Sequence, residues 1–121
     1  MLGLSRKVRV FAYRAPCDMR KSFNTLAALV LELGQDVVAG DAFLFVGKGR
    51  RRAKVLWFDG TGLCLLAKRL EKGRFAAAWE NAELTSSELV LFLEGSDAVG
   101  RVKLSPTAFE LETDGRADFS R

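Results

Sequence analysis

Residues 55–70 read VLWFDGTGLCLLAKRL, and this stretch decides the expected fold. Its Asp59-Gly60 pair is a strong turn dipeptide, because glycine readily adopts the positive φ angles of a tight β-hairpin. The apolar runs on either side of the turn predict two antiparallel strands, over 54–58 and 63–70. The stretch therefore indicates a β-hairpin that needs further elements to bury its apolar side chains.

The remaining strand patterns predict an α+β fold with a mostly antiparallel sheet of four or five strands. Residues 6–13 alternate loosely, with Val8, Val10 and Ala12 on one face of the expected strand. Residues 42–46 are almost continuously apolar, which indicates a buried strand. A fifth strand is expected over 74–79, after a glycine.

Two helices complete the expected fold. Apolar residues recur at a helical period through 19–33, and Asp18 is the expected N-cap of this long helix. A shorter helix is expected over 85–94, where Thr85 and Glu88 have the spacing of a capping box. We expect the long helix to pack on one face of the sheet and the short helix to lie at an edge or end.

Length and composition indicate one globular domain, since the chain has 121 residues of which 49% are hydrophobic. We expect this domain to span 1–95, followed by a C-terminal extension over 96–121 that is partly ordered or a polar tail. No apolar run approaches the roughly 20 residues of a membrane span, so no membrane association is expected. The two cysteines, Cys17 and Cys64, suit a reducing cytoplasm, which is the expected location.

Charge is distributed unevenly along the chain. Residues 1–80 contain 15 Lys/Arg and 7 Asp/Glu, a net charge of +8, whereas residues 81–121 contain 4 and 8, a net charge of −4. A basic body with an acidic tail indicates an anionic partner for the body. An alternative is that the tail folds back over the basic face and competes with that partner.

Cations cluster before and after the hairpin and at the start of the long helix. Lysine and arginine neutralise phosphates and release counterions, so such clusters are candidate DNA contacts. The alternative interpretation is a solvated surface that charge keeps soluble. The candidate DNA-binding residues are Lys48, Arg50, Arg51, Arg52, Lys54, Lys68, Arg69, Lys72, Arg74, Arg20 and Lys21.

Enzyme activity is not expected from this sequence. The chain has no histidine, and Asp18, Asp41 and Asp59 are scattered, whereas a metal-dependent nuclease gathers several carboxylates around its ions. The cysteines lack the spacing of metal ligands, and residues 47–49 lack the spacing of a phosphate-binding loop. We therefore expect no catalytic residue, no cofactor and no bound metal.

Five segments carry motifs that occur in the same order in one family of transposon proteins. Residues 17–30, CDMRKSFNTLAALV, resemble the family's TDMRKGFDGLAALV, and residues 43–51, FLFVGKGRR, resemble LFVFRGRR. Residues 55–64 resemble ILWWDGxGLC, residues 68–75 resemble KRLExGRF, and residues 91–95 resemble LLEG. The family is the second open reading frame product of the insertion-sequence-66 elements, also called TnpB or Orf2-like.

This resemblance covers about residues 8–95 and implies a non-enzymatic accessory protein that is encoded beside a transposase. It implies no relation to the RNA-guided nuclease that shares the TnpB name, and strand transfer is expected in the transposase. Beyond Gly95 the chain departs from the family's usual Arg/Pro-rich ending, so no role of that ending is carried over.

Two functions are open at this point. The first is DNA binding through the basic β-hairpin, with the ends of the element as the expected DNA. The second is a protein–protein adaptor that recruits or regulates the transposase without binding DNA itself. The adaptor predicts an exposed apolar patch that includes Trp57 or Phe58, which point to opposite faces of their strand.

Overall fold

The computed structural model describes residues 8–81 and 83–95, which form a five-stranded sheet with one helix on each face. The expected α+β class with a mostly antiparallel sheet is confirmed. Short 3-10 helices at Val37–Ala39 and Ala78–Glu80 lie in the connections that lead into the strands Ala42–Val46 and Glu83–Leu84. In chain order the elements are β1 (Val10–Ala12), α1 (Phe23–Glu32), β2 (Ala42–Val46), β3 (Arg52–Phe58), β4 (Leu63–Arg69), β5 (Glu83–Leu84) and α2 (Ser86–Leu93).

The strand order across the sheet is β4-β3-β2-β1-β5. Only β1 and β2 are parallel, and α1 forms the crossover that a parallel pair requires. The β2–β3, β3–β4 and β1–β5 pairs are antiparallel. As a result, β1, β2 and β4 all end at the same end of the sheet, and β3 begins there.

Helix α1 covers one face of the sheet. Its buried side chains Leu26 and Val30 pack on Phe43, Phe45 and Leu56. Helix α1 therefore stabilises the fold by burying its apolar side chains against those of one sheet face. The neighbours of these sheet residues point to the opposite face, because side chains alternate along a strand.

The opposite face is covered by α2 and by the segment that connects β4 to β5. Leu89 and Phe92 of α2 are fully buried there, and Phe75 from the connecting segment stacks on Phe92 with ring centroids 4.9 Å apart. Strand β2 lies between two covered faces, and all five of its residues are buried. This confirms the predicted buried strand over 42–46, and burial on both faces explains why its residues are almost continuously apolar.

The start of α1 differs from the prediction. The helix begins at Phe23 with Ser22 as its N-cap residue, not at Met19 with Asp18. The Asp18 carboxylate instead accepts a hydrogen bond of 2.9 Å from the backbone N–H of Arg20, and the Asp18 carbonyl accepts one of 3.1 Å from Lys21. Asp18 therefore closes a local turn that delays the helix by four residues.

The fifth strand also lies elsewhere than expected. Residues 74–79 are not a strand, and Glu83–Leu84 pairs antiparallel with β1 instead. Phe75, Ala76 and Ala78 are buried in the cluster beneath α2, so the apolar residues of this segment fill the core without joining the sheet.

Helix α2 crosses its face of the sheet. The predicted capping box is confirmed, since Thr85 Oγ1 accepts from the Glu88 N–H at 3.0 Å and Glu88 Oε1 accepts from the Thr85 N–H at 2.8 Å. The helix starts next to the edge strand β5, and the carbonyl of Leu93 accepts a hydrogen bond of 2.7 Å from Lys68 on the other edge strand, β4. It therefore lies across the face, where we had expected an edge or end.

The predicted C-terminal extension over 96–121 lies outside the described residues. Within the described part of the chain, no helix has the length and apolar character that crossing a membrane requires.

Candidate nucleic-acid interface

All of the candidate cations lie toward one end of the sheet. The parallel strands β1 and β2 lead there into residues 13–21 and 47–51, and β3 begins where β4 ends. We call this end of the sheet the basic end and define it by Arg20, Lys21, Lys48, Arg50, Arg51, Arg52, Lys54, Lys68, Arg69, Lys72 and Arg74.

Backbone hydrogen bonds join the two basic segments that flank the hairpin. The Phe75 N–H donates to the Arg50 carbonyl at 2.6 Å, and the Leu70 N–H donates to the Arg51 carbonyl at 2.8 Å. The Arg51 guanidinium also donates to the carbonyl of Glu71 at 3.1 Å. These bonds make the β2–β3 turn and the segment after β4 one structural unit, although each was predicted separately.

The first residues of β3 and the last residues of β4 form the floor of an open cleft on the α1 side of the sheet. Arg52 lies directly opposite Arg69 in the antiparallel register, and Lys54 lies directly opposite Ala67. Directly opposed residues share a face, so these four side chains lie on the face that α1 covers farther along the strands. The cleft has a volume of about 430 Å³.

Met19 supplies the wall of the cleft that faces this floor. The turn that carries Met19 sits against the end of β2, because a Cβ atom on Gly47 would lie only 2.8 Å from Met19 Cγ. Glycine at position 47 therefore lets the Met19 side chain approach the strand closely.

Electrostatics at the floor of the cleft favour an anion. Two cations directly opposite each other on neighbouring strands repel each other. Arg69 is compensated by Glu71 at 3.3 Å, whereas Arg52 makes no ion pair with any carboxylate of the described residues. The side chain of Arg52 is exposed, so its guanidinium is available to a ligand.

Two lysines of the basic end also hold the surrounding structure. Lys54 Nζ donates a hydrogen bond of 2.6 Å to the carbonyl of Lys21, which fixes the turn before α1 to the sheet. Lys68 points to the other face, where its bond to Leu93 places a positive charge at the C-terminus of α2, the end that a cation stabilises. An ammonium group has three donors, so neither bond uses it fully.

Arg20 has a carboxylate partner within its own turn. Its guanidinium donates to Asp18 Oδ2 at 2.8 Å, and this contact holds the pKa of the Asp18 carboxyl well below its usual range. Arg20 therefore contributes less net charge than the isolated cation that its sequence position indicated. Lys21 lies beside it, partly buried, with its carbonyl bound to Lys54.

The hairpin turn lies at the far end of β3 and β4. Asp59 Oδ1 accepts hydrogen bonds from the N–H groups of Thr61 and Gly62 at 2.9 and 3.0 Å, and these bonds lower the pKa of Asp59 to about 2. This confirms the interpretation that Asp59 serves the turn. Trp57 and Phe58 precede it and are half-buried, and Trp57 packs against the core beneath α2.

Among the described residues, no three His, Cys, Asp or Glu side chains are gathered as a metal site would require. Met19 and Ala67 line the cleft together with the cations, although neither is among the candidate residues predicted from the sequence. Strand alternation from Leu65 to Arg69 does place Ala67 on the cationic face. The approach of Met19 to that face is a tertiary contact with no sequence pattern of its own.

Comparison with known proteins identifies relatives over most of the chain. The profile of the family described as IS66 Orf2 like protein matches residues 8–103. The chain is 38% identical over 103 residues to the uncharacterized protein y4hO of Sinorhizobium fredii, a match covering 80% of this chain and 88% of y4hO. It is 40% identical over 76 residues to the uncharacterized protein y4jC of the same organism, covering 62% of this chain and 65% of y4jC. No solved structure matches the chain.

Proposed function

This chain belongs to the IS66 Orf2-like family, and we propose that it is a non-enzymatic accessory protein of transposition that binds DNA through its basic end. The family supports the role in transposition. The observation that supports DNA binding is the opposed pair Arg52 and Arg69, at the centre of a surface whose cations come from three separate segments.

Phosphate is the anion that best fits this arrangement. The guanidinium group presents several N–H donors in a planar fork, which matches the oxygens of a phosphate. The side chains of Lys48, Arg51, Arg52, Lys72 and Arg74 are all exposed, so they can contact a backbone without unfolding any element. A rigid sheet end with exposed cations is therefore suited to bind a nucleic acid backbone.

Amide chemical shifts of ¹⁵N-labelled protein test this proposal. We would titrate the protein with a duplex from the end of the insertion sequence that encodes it, and with a scrambled duplex. The expected result is shift changes over 47–54 and 67–75, with little change over 59–62 at the opposite end of the same hairpin. No change at low salt, or changes confined to 59–62, would contradict the proposal.

A second function, the transposase adaptor, has support from a different surface. Leu31, Leu33 and Val38, at and after the C-terminal end of α1, are 62%, 45% and 55% exposed. Exposed apolar groups of this size mark protein contacts when they are contiguous. Trp57 and Phe58 are half-buried, so the adaptor's contact residues would differ from those expected from the sequence.

Co-purification with the transposase at high salt tests the adaptor function. The Leu31→Asn variant should lose the transposase, while Ala28→Asn, at another exposed position of the same helix, should retain it. If Leu31→Asn retained as much transposase as Ala28→Asn and the parent protein, the α1 surface would be excluded as the contact.

A further inference from the structure

We propose that the cleft receives one unpaired nucleotide of a single DNA strand, an inference that rests on the proposed DNA-binding function. Its lining side chains are cationic or apolar, with no acidic and no neutral polar side chain: Arg52, Lys54, Arg69, Met19 and Ala67. Ala53 and Lys68 also border the cleft, but their side chains point to the opposite face of the sheet. This chemistry suits a ligand that is anionic at one place and apolar at another, as a nucleotide is.

The size of the cleft favours a single nucleotide over a duplex. Its volume of about 430 Å³ falls within the range of about 300–1,000 Å³ that is typical of small-molecule sites. The bases of a duplex are paired and stacked inside the double helix, so only the backbone of a duplex can enter a cleft of this size. An unpaired nucleotide can present its phosphate and its base together, as ligands of single-strand-binding proteins do.

The positions of the cations assign the phosphate to the outer part of the cleft. Arg52 and Arg69 lie opposite each other on adjacent strands, so a phosphate between them can accept from both guanidinium groups. A bound phosphate also relieves the repulsion between the two arginines. The neighbouring Glu71 competes for Arg69 alone, since its only ion pair within the described residues is with that side chain.

The apolar residues assign the base to the space between Met19 and Ala67. A methionine sulfur is polarizable and makes favourable contacts with aromatic rings. Ala67 is exposed, and its small side chain leaves room in the floor of the cleft beside Lys54. No neutral polar side chain lines this space to read the edge of a base, so the cleft should accept different bases with similar affinity.

Filling the cleft without changing its charge tests the inference. Fluorescence anisotropy would compare a single strand of about 15 nucleotides with the duplex of the same sequence, a length that suits known single-strand sites. The test variant is Ala67→Leu. Ala28→Leu controls for adding the same side chain at an exposed site on α1.

We expect Ala67→Leu to weaken single-strand binding at least tenfold and to change duplex binding less than twofold, with the Ala28→Leu control equal to the parent protein. If Ala67→Leu binds the single strand as tightly as the parent, the cleft inference is overturned and DNA binding stands. If the parent binds neither form of DNA at low salt, the proposed function and the inference both fail.

Discussion

Lys54 of β3 donates a hydrogen bond of 2.6 Å from its ammonium group to the backbone carbonyl of Lys21, across a sequence separation of 33 residues. This contact joins the turn before α1 to the floor of the cleft. It explains how a turn with no regular structure holds Met19 in a fixed position over the sheet. A cation that the sequence marks as a DNA contact therefore also builds the surface on which DNA would bind.

The Lys54→Met variant should be less stable than the parent protein. It keeps the length of the side chain but leaves the partly buried Lys21 carbonyl without its donor, which costs roughly 1–3 kcal/mol. Urea denaturation measures the difference. The matched control is Lys48→Met, because Lys48 is exposed and makes no side-chain hydrogen bond among the described residues. Equal stability of the two variants would show that the Lys54 bond is not maintained in solution.

Gly95 is predicted to be intolerant of a side chain. Its φ angle is +74°, and a Cβ atom would lie 2.6 Å from both terminal methyl groups of Leu70. Gly95→Ala should therefore lose about 1–3 kcal/mol of unfolding free energy through backbone strain and displacement of Leu70.

Gly49→Ala provides the control for that substitution. A Cβ atom at Gly49 would meet no atom within 4 Å, and its φ angle is not positive. Thermal denaturation should therefore show Gly49→Ala close to the parent protein and Gly95→Ala well below it. If Gly95→Ala has the same melting temperature as Gly49→Ala, the described packing of Gly95, after the end of α2, on Leu70 is wrong.

The Asp59 turn should make stability depend on pH in acid. The folded-state pKa of about 2 lies below the ordinary value of 3.8, because the Thr61 and Gly62 amides favour the carboxylate. A lowered folded-state pKa gives stability that is present above the unfolded-state pKa and is lost as pH falls toward 2. Asp59→Asn should therefore be less stable than the parent at pH 7, and this difference should shrink between about pH 5 and pH 2.

Urea midpoints across this pH range measure that effect. Glu32→Gln, which removes an exposed carboxylate with no described hydrogen bond, serves as the control for a loss of one negative charge. A stability difference between Asp59→Asn and the parent that stays constant from pH 7 to pH 2 would contradict the assignment.

Arg52 should contribute to binding without contributing to stability. Its removal relieves repulsion with Arg69 on the neighbouring strand, so Arg52→Gln should leave the unfolding free energy unchanged within about 0.5 kcal/mol or raise it. Arg9→Gln removes the same charge at the opposite end of the sheet, where Arg9 pairs with Glu83 at 3.0 Å, and it should lower stability slightly. Clear destabilisation by Arg52→Gln would mean that Arg52 has a structural partner.

Local patterns predicted the parts of this fold that local interactions determine. Alternation along β1 predicted Val10 and Ala12 on one face, and the structure buries both in one cluster, while Phe11 and Tyr13 pack, partly buried, against the other cluster. The capping box at Thr85 was also predictable, because both of its hydrogen bonds lie within four residues.

Features that depend on tertiary contacts were not predictable from the sequence. Asp18 is a good N-cap in isolation, but its carboxylate closes a turn with Arg20 and holds that side chain as well. The apolar residues near Phe75 suit a strand, yet they pack beneath α2 because Phe92 offers a stacking partner. The cleft depends on contacts among three distant segments, so the sequence indicated its charge but not its shape.

The salt dependence of duplex binding tests the central claim most directly. Each phosphate contact contributes about 0.9 to the slope of log affinity against log salt concentration. The double variant Arg52→Gln/Arg69→Gln should therefore have a slope shallower than the parent's, by roughly 0.9 if the two arginines share one phosphate and roughly 1.8 if each contacts its own, while Arg9→Gln keeps the parent's slope. A parent affinity that does not change with salt, or a double variant with the parent's slope, would contradict DNA binding through the basic end.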